Sequence, residues 1–413
     1  MTKPPMLTAQ QALDHLLSHA QAVEQTEDVP MQAALGRVLA KNVNSLVDVP
    51  PLDNTSMDGY AVRAADAAIS GAVLHIAQRI PAGSMGVQLE PGTAARIFTG
   101  APVPPGADAV VMQEDCTLVE GSATQVQVNI APTQGQWIRR RGEDLTAGKT
   151  ALVAGTFLRP QELGVAASAG LTHLNVKRRV RVAAFFTGDE LALPGEPLKP
   201  GGIYNSNRDT LLACLKSLGC DATDLGIVPD RLDATKQALR QASKGHDLII
   251  TSGGVSVGEE DHIKPAVTAE GRLDLWQIAI KPGKPLAFGA VRKSEKPQDG
   301  EAWFIGLPGN PVSSFVTFLL FVRPFILKLQ GRDAGVMQSY PMRADFDWLK
   351  ADRRNEFLRV KVNEQGGLDL FPNQSSGVLT SVVWGDGVVD NPGAQAIQAG
   401  DWVSFYPFAE WLQ

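Results

Sequence analysis

The sequence predicts a multidomain α/β-plus-β protein. A central α/β sandwich with a mostly parallel sheet is joined to an inserted β-rich domain, a helical and extended linker domain, and a small β-barrel-like C-terminal module. Three observations carry that expectation. From Val180 onward, apolar runs that read as buried strands alternate with helical patterns. Three such runs end in glycine-rich turns: Thr187-Gly-Asp-Glu190, Ser252-Gly-Gly-Val-Ser-Val-Gly-Glu-Glu-Asp261 and Gly306-Leu-Pro-Gly-Asn-Pro311. On both flanks of that region the pattern changes to short segments punctuated by Gly, Pro and Asp.

Taken in order, Thr8 and Gln11 form a capping box ahead of an apolar helical stripe, Ala12, Leu13, Leu16 and Leu17. Asp48-Val-Pro-Pro-Leu-Asp-Asn54 is turn-rich and marks a boundary. Ala94–Phe98, Ala109–Gln113 and Gln125–Ile130 read as short strands, and Leu158 to Leu174 as an apolar helix and its exit. That stretch and the N-terminal helix flank the β-rich part and are expected to pack together. The α/β part reads as strand Val180–Phe186, helix Asn207–Leu218 stopped by Gly219, strand Ala222–Val228, helix Asp233–Lys244, strand Asp247–Thr251 and helix Asp261–Glu270. Strands near Leu273–Ile280, Leu286–Gly289 and Trp303–Gly306 follow, then the helix Val312–Leu329. Beyond Gly331, Phe357–Val362, Gly367–Phe371, Val378–Val383 and Asp401–Pro407 read as strands. The expected domains are 1–46 with 145–178, 47–144, 179–331 and 332–413.

Composition narrows the class. Apolar residues make up 44%, ample for real cores, and the net charge of −6 speaks against a dedicated nucleic-acid binder. Met1 to Gln11 has no apolar leader core, and Cys116, Cys214 and Cys220 form no Cys-x-x-Cys pair. Both point to a cytoplasmic protein with reduced thiols. Phe315 to Leu329 contains Thr317, Arg323, Pro324 and Lys328, and reads as a buried helix that ends or kinks near the proline, with no membrane span.

Glycine lets backbone N–H groups approach an anion closely, and neighbouring carboxylates can hold a divalent cation. Turns at the ends of neighbouring parallel strands share the edge where open α/β folds bind ligands. Gly253, Gly254 and Ser256 would offer N–H groups and a hydroxyl to a phosphate at a helix start. Lys281 and Lys284, flanking Pro282-Gly283, suit an oxyanion or pyrophosphate as point charges; the alternative is a solvated surface. Pro308, Asn310 and Pro311 form a stiff turn, with Pro311 at the first position of the long helix. His15 and His19 have i, i+4 spacing but no supporting carboxylate motif for zinc.

With these residues named, the chain resembles the molybdopterin molybdenumtransferases, the MoeA and gephyrin C-terminal family, over almost its full length. Asn54-Thr-Ser-Met-Asp-Gly-Tyr-Ala61, Phe98-Thr-Gly-Ala-Pro-Val-Pro104, Arg139-Arg-Arg-Gly-Glu-Asp144 and Thr187-Gly-Asp-Glu190 are similar to the family's motifs. So are Thr251-Ser-Gly-Gly-Val-Ser-Val-Gly258, Ile280-Lys-Pro-Gly-Lys-Pro285 and Gly306-Leu-Pro-Gly-Asn-Pro311, in the family's order. The resemblance implies insertion of molybdate into the dithiolene of adenylylated molybdopterin, with Mg²⁺-dependent release of AMP. It also implies a homodimer whose site is shared between protomers, and contacts with a molybdopterin adenylyltransferase and acceptor molybdoenzymes.

The same resemblance assigns site residues. Glu190, Asp261, Lys281, Asp58, Thr99 and Asp144 are implied as catalytic, the last three from the inserted domain, with Asp58 and Thr99 completing the partner protomer's site. Glu190, Asp230 and Asp261 are the implied metal ligands. Gly253, Gly254, Ser256, Lys284, Pro308, Asn310, Pro311, Arg354 and Ser376 are implied to bind the pterin substrate. Bland readings stand beside these: Glu190 as a helix-start carboxylate, Asp189 and Asp230 as turn residues, Arg139 to Arg141 as a solvated face. One departure is Gln277, where some bacterial members carry a lysine. An adenylyltransferase and a non-catalytic pterin-binding scaffold are the rival readings.

Overall fold

The protein is described by a computed structural model covering residues 6–255, 261–334 and 337–411. It divides into two compact units, Asp28–Val176 and Met1–Glu27 with Lys177–Gln413. The first helix, α1 (Ala9–His19), opens on the expected reciprocal cap: the Gln11 N–H donates to the Thr8 hydroxyl, and the Thr8 N–H to the Gln11 side chain. Ala12 and Leu16 are fully buried in a core with Phe288, Leu319 and Phe325. This corrects the expectation that α1 packs with the 158–174 stretch. There, α2 (Pro160–Ser168) buries Ala166 in a separate core with Ala34, Leu39 and Val43.

The smaller unit carries a six-stranded sheet of β1 (Gly59–Val62), β2 (Ala72–Ile80), β3 (Thr93–Ile97), β4 (Ala109–Met112), β5 (Cys116–Leu118) and β6 (Gln125–Val128), in the order β4-β1-β3-β2-β6-β5. All pairings are antiparallel except β2 with β3. Tyr60, Val62, Leu74 and Val111 fill one face, and Ile80, Ile97 and Val110 the other.

The larger unit is built on β7 (Arg181–Thr187), α3 (Ser206–Ser217), β8 (Asp221–Val228), α4 (Leu232–Ser243), β9 (Leu248–Ser252), α5 (Ile263–Glu270), β10 (Gly271–Gln277), β11 (Ile280–Lys281), β12 (Pro285–Arg292) and β13 (Glu301–Leu307). The central sheet runs β8-β7-β9-β13-β12-β10. Its first four strands pair in parallel, and β12 joins β13 and β10 antiparallel. Both faces are covered, which is why β7 and β9 read as unbroken apolar runs.

The helix after β13 begins at Pro311 as α6 (Pro311–Thr317), widens into a π turn over Phe318–Val322 and resumes as α7 (Arg323–Leu329). It does not end near Pro324. The wider turn lets the proline ring into the helix without the usual clash against the carbonyl one turn back. The 311–329 stretch is long and apolar enough to cross a membrane, and 89% of it is buried inside the fold.

The C-terminal sheet contains β14 (Tyr340–Arg343), β15 (Asn355–Val362), β16 (Leu368–Leu370), β17 (Gly387–Asn391) and β18 (Trp402–Pro407), ordered β11-β15-β17-β18-β14 with β16 against β15. Val378–Val383, expected as a strand, instead contributes to the helical turn α8 (Thr380–Trp384). The Ser381 hydroxyl donates to the Val378 carbonyl at 2.7 Å. The strand position beside β15 is taken by β17. The three cysteines are free, and burial pushes each thiol up to about 12.

Candidate active site

The three glycine turns at the C-terminal ends of β7, β9 and β13 touch one another. Gly253 has φ +99°, and a Cβ placed on it would lie 2.3 Å from the Thr187 carbonyl oxygen. A Cβ on Gly254, φ +63°, would meet the Thr187 hydroxyl at 2.8 Å. Gly309 stacks its would-be Cβ on the Gly253 Cα at 3.7 Å. Gly188 leaves room for the Glu190 carboxylate, whose Oε2 would stand 2.6 Å from a Cβ there. The turns therefore form one continuous floor at the sheet edge, as open α/β sheets provide.

Over this floor lies a cavity of about 830 Å³. Glu190, Asp230, Asp261, Gly253, Gly254, Lys281, Lys284, Pro308, Asn310, Pro311, Arg354 and Ser376 all line it. Pro311 occupies the first helical position, and Asn310 makes no side-chain cap, so its amide is not spent on the helix. Glu190 precedes a short strand, Leu191–Ala192, and does not start a helix.

The lysine turn is joined to the C-terminal sheet. β11 pairs in parallel with β15, Ile280 opposite Asn355 and Lys281 opposite Glu356. The Lys281 ammonium donates to Glu356 Oε1 at 2.9 Å and lies 3.7 Å from Asp352. Arg354 grips Asp352 with its guanidinium and its N–H, holding that carboxyl well below the usual range. Lys284 has no ion-pair partner among the described residues. The Ser376 carbonyl accepts from the Val312 N–H at 3.0 Å, tying Ser376 to the start of α6. Arg359 does not line the cavity. It is 1% exposed, donates to the Ser375 carbonyl and the Ser381 hydroxyl, and burial lowers its pKa to about 10.

Burial together with Asp189 and Glu190 raises the Asp230 carboxyl above its ordinary value. The Asp230 N–H donates to Asp189 Oδ1 at 3.2 Å. No group of three His, Cys, Asp or Glu side chains stands ready to hold a metal ion among the described residues. The cavity lining thus includes the carboxylates Glu190, Asp230 and Asp261 and the cations Lys281, Lys284 and Arg354.

The remaining expected residues lie elsewhere. Asp58 and Thr99, in the smaller unit, form a closed pair: the Thr99 N–H and hydroxyl each donate to Asp58 Oδ1 at 2.7 Å and lower its pKa. Asp144 lines a separate recess of about 490 Å³ with Asn54, Arg139 and Glu143. Arg140 and Arg141 are engaged with Asp53 and Asp48. Ser256, with Glu259 and Glu260, falls outside the described residues. Gln277 ends β10 opposite Pro285 and does not line the cavity.

Several lining residues escaped the sequence reading, four buried polar ones among them. Thr187, Asn205, Asn207 and Ser252 are 5%, 2%, 9% and 3% exposed. The Thr187 hydroxyl and the Asn205 amide nitrogen lack hydrogen-bond partners among the described residues, and Asn205 caps α3 through its oxygen. The signal was Asn205-Ser-Asn207, a helix-start pattern ahead of α3.

Comparison with known proteins puts a family on this architecture. The chain matches the MoeA N-terminal region (domain I and II) over residues 7–170, the probable molybdopterin binding domain over 183–328, and the MoeA C-terminal region (domain IV) over 341–408. It is 41% identical over 369 residues to a molybdopterin molybdenumtransferase of Haemophilus influenzae, covering 88% of this chain and 89% of that one. A gephyrin of Dictyostelium discoideum is 32% identical over 341 residues, covering 74% of this chain and 47% of that one. The solved structure of a molybdopterin biosynthesis MoeA protein from Pyrococcus horikoshii matches with a TM-score of 0.82 at 28% identity, covering 97% of this chain and 100% of that one. The chain belongs to the MoeA family.

Proposed function

We propose that this protein is a molybdopterin molybdenumtransferase that inserts molybdate into the dithiolene of adenylylated molybdopterin and releases AMP. The observation that carries the reading is the cavity itself. Lys281, Lys284 and Arg354 share with Glu190, Asp230 and Asp261 the lining of a cavity of about 830 Å³ over a glycine floor. Lys284 and the Gly254 N–H hold the pyrophosphate, the Gly253 N–H being engaged with the Leu307 carbonyl at 3.2 Å, and Lys281 with Arg354 holds molybdate beside the dithiolene. Asn310, between Pro308 and Pro311, orients the pterin, and Ser376 closes the wall.

The residues fit a magnesium ion. Glu190 and Asp230 are hard oxygen donors, with Asp261 as a third candidate. Burial first, and then the neighbouring Asp189 and Glu190, raise the Asp230 carboxyl, a penalty on its ionised form that a bound cation would offset. Mg²⁺ is usually held by one or two carboxylates, with substrate phosphate and water completing the shell. When bound, the ion neutralises phosphate charge and makes AMP a better leaving group. The protein's own contribution is positioning and electrostatics, and no covalent enzyme nucleophile is required.

The functional form in this reading is a cytoplasmic homodimer. Asp58 and Thr99 of one protomer complete the site of the other, Asp144 serves the same reaction, and the cofactor passes from an adenylyltransferase to acceptor molybdoenzymes. The test is incubation with adenylylated molybdopterin, Mg²⁺ and molybdate, following AMP release and activation of a cofactor-free molybdoenzyme. Both signals, both lost in Glu190→Gln, are expected. Tight pterin binding without AMP release would instead identify a carrier.

A further inference from the structure

Lys281 and Lys284 sit three residues apart on one turn, yet their surroundings differ. Lys284 carries its charge with no ion-pair partner among the described residues. Lys281 is anchored: its ammonium donates to Glu356 Oε1 at 2.9 Å while its side chain stays 40% exposed at the cavity wall. Glu356 is 1% exposed. Its second oxygen accepts from Trp348 Nε1 at 2.8 Å and from the Asp352 N–H at 3.1 Å. A carboxylate stripped of water is tolerated only when its oxygens are satisfied, and here two neutral donors and one ammonium do so.

The backbone enforces this geometry. Lys281 and Glu356 are register partners in the parallel β11–β15 pairing. Beside them Arg354 and Asp352 form a second pair, 2.9 Å apart. Two cations and two anions thus form a balanced set, of which Lys281 and Arg354 line the cavity. A lysine stem has four carbons and several rotatable bonds, so a free ammonium spreads over many positions. Anchoring at Glu356 removes that spread before substrate arrives, the condition under which a charged group contributes most to catalysis.

We propose that Glu356 is a positioning residue that fixes Lys281 toward the bound oxyanion, making the C-terminal sheet a working part of the site. This rests on the reading that Lys281 contacts the anionic substrates. The experiment is a double-mutant cycle in the full chain, using Glu356→Gln, Lys281→Ala and the double variant. The readouts are kcat and the KM for molybdate in AMP-release assays.

Glu356→Gln alone is expected to raise the KM for molybdate about 10- to 100-fold, as loss of a supporting partner around a ligand does. In the Lys281→Ala background the same change is expected to have almost no further effect, because coupled residues are not additive. An equal fold loss in both backgrounds overturns the proposal, since it would show that Glu356 acts on turnover without acting through Lys281. Unaltered kinetics in Lys281→Ala alone overturns the reading of the cavity, a result distinct from additivity. Should Glu356→Gln not fold, Trp348→Phe removes one donor from Glu356 and leaves the carboxylate in place. It is expected to shift KM in the same direction by a smaller factor, again only when Lys281 is present, and additivity there overturns the proposal equally.

Discussion

The Asn207 amide donates to the Ser252 hydroxyl at 2.8 Å and to the Gly309 carbonyl at 2.7 Å, bridging two of the three glycine turns. Ser252 passes the connection on, donating to the Pro308 carbonyl at 2.9 Å. Both side chains are more than nine-tenths buried, so neither has water as a substitute. Asn207→Asp replaces the shared donor with an acceptor facing a carbonyl. It is expected to cost about 1–3 kcal/mol, the penalty for buried groups left unsatisfied. Thermal melting checks the stability. AMP release checks the site, and unchanged values of both would show that the turns hold their spacing without this bridge.

The glycine floor makes a steric prediction with an internal control. Gly253→Ala places a methyl 2.3 Å from a backbone oxygen at a positive φ, and nothing flexible can move aside. A loss of about 1–3 kcal/mol is expected, with distortion of the Thr187 turn. Gly309→Ala meets its nearest atom at 3.7 Å, an ordinary contact, and should leave the melting temperature nearly unchanged. Comparable destabilisation of both variants would contradict the stacked geometry.

Away from the cavity, Arg178 grips Asp247 bidentately at 2.7 and 2.8 Å, and the Arg181 N–H adds a third bond. Burial alone would raise the Asp247 carboxyl, but Arg178 and the Arg181 N–H outweigh it and the pKa is lowered. A depressed folded pKa means stability that is fully present above the unfolded value, near 3.8, and lost as pH falls through the lower folded value. Asp247→Asn is expected to cost about 3 kcal/mol at pH 7, because it leaves a half-buried guanidinium without its counter-charge. The difference from the parent should shrink below the ordinary aspartate range. A pH-independent difference in chemical denaturation would place the effect in packing rather than charge.

What the sequence made legible and what it hid divide along a physical line. Glycine turns and the Lys281–Lys284 turn announce themselves, because special backbone conformations demand special residues within a few positions. The ends of β7, β9 and β13 could be read for the same reason: apolar runs stop where the turns begin. Glu356 could not be read. It lies 75 positions from Lys281 and meets it only through the register of β11 on β15. Asn207 looked like an ordinary residue in the first turn of a helix, since its partners Ser252 and Gly309 come from two other strand ends. Val378–Val383 carried β-branched residues yet coils into a helical turn, because β17 fills the place beside β15. The α1 stripe announced a helix but not which core would receive it.

Asp230 gives the last prediction, and its sign is opposite to that of Asp247. Burial, with Asp189 and Glu190 nearby, raises its folded pKa above the ordinary 3.8, so the ionised form is the disfavoured one. Above that raised value the charge costs stability, and the cost is relieved as pH falls through it. Asp230→Asn is therefore expected to leave the melting temperature at pH 7 unchanged or higher, while weakening the binding of Mg²⁺ or its reporter Mn²⁺. A cation favours the ionised carboxylate, so in the parent its affinity should begin to fall, on acidification, at a higher pH than an unperturbed aspartate would give. Calorimetry in two buffers of different ionisation heat would count the proton released on Mn²⁺ binding. Proton-free binding at every pH, or full cation affinity in Asp230→Asn, would remove Asp230 from the metal site and leave Glu190 and Asp261 to account for it.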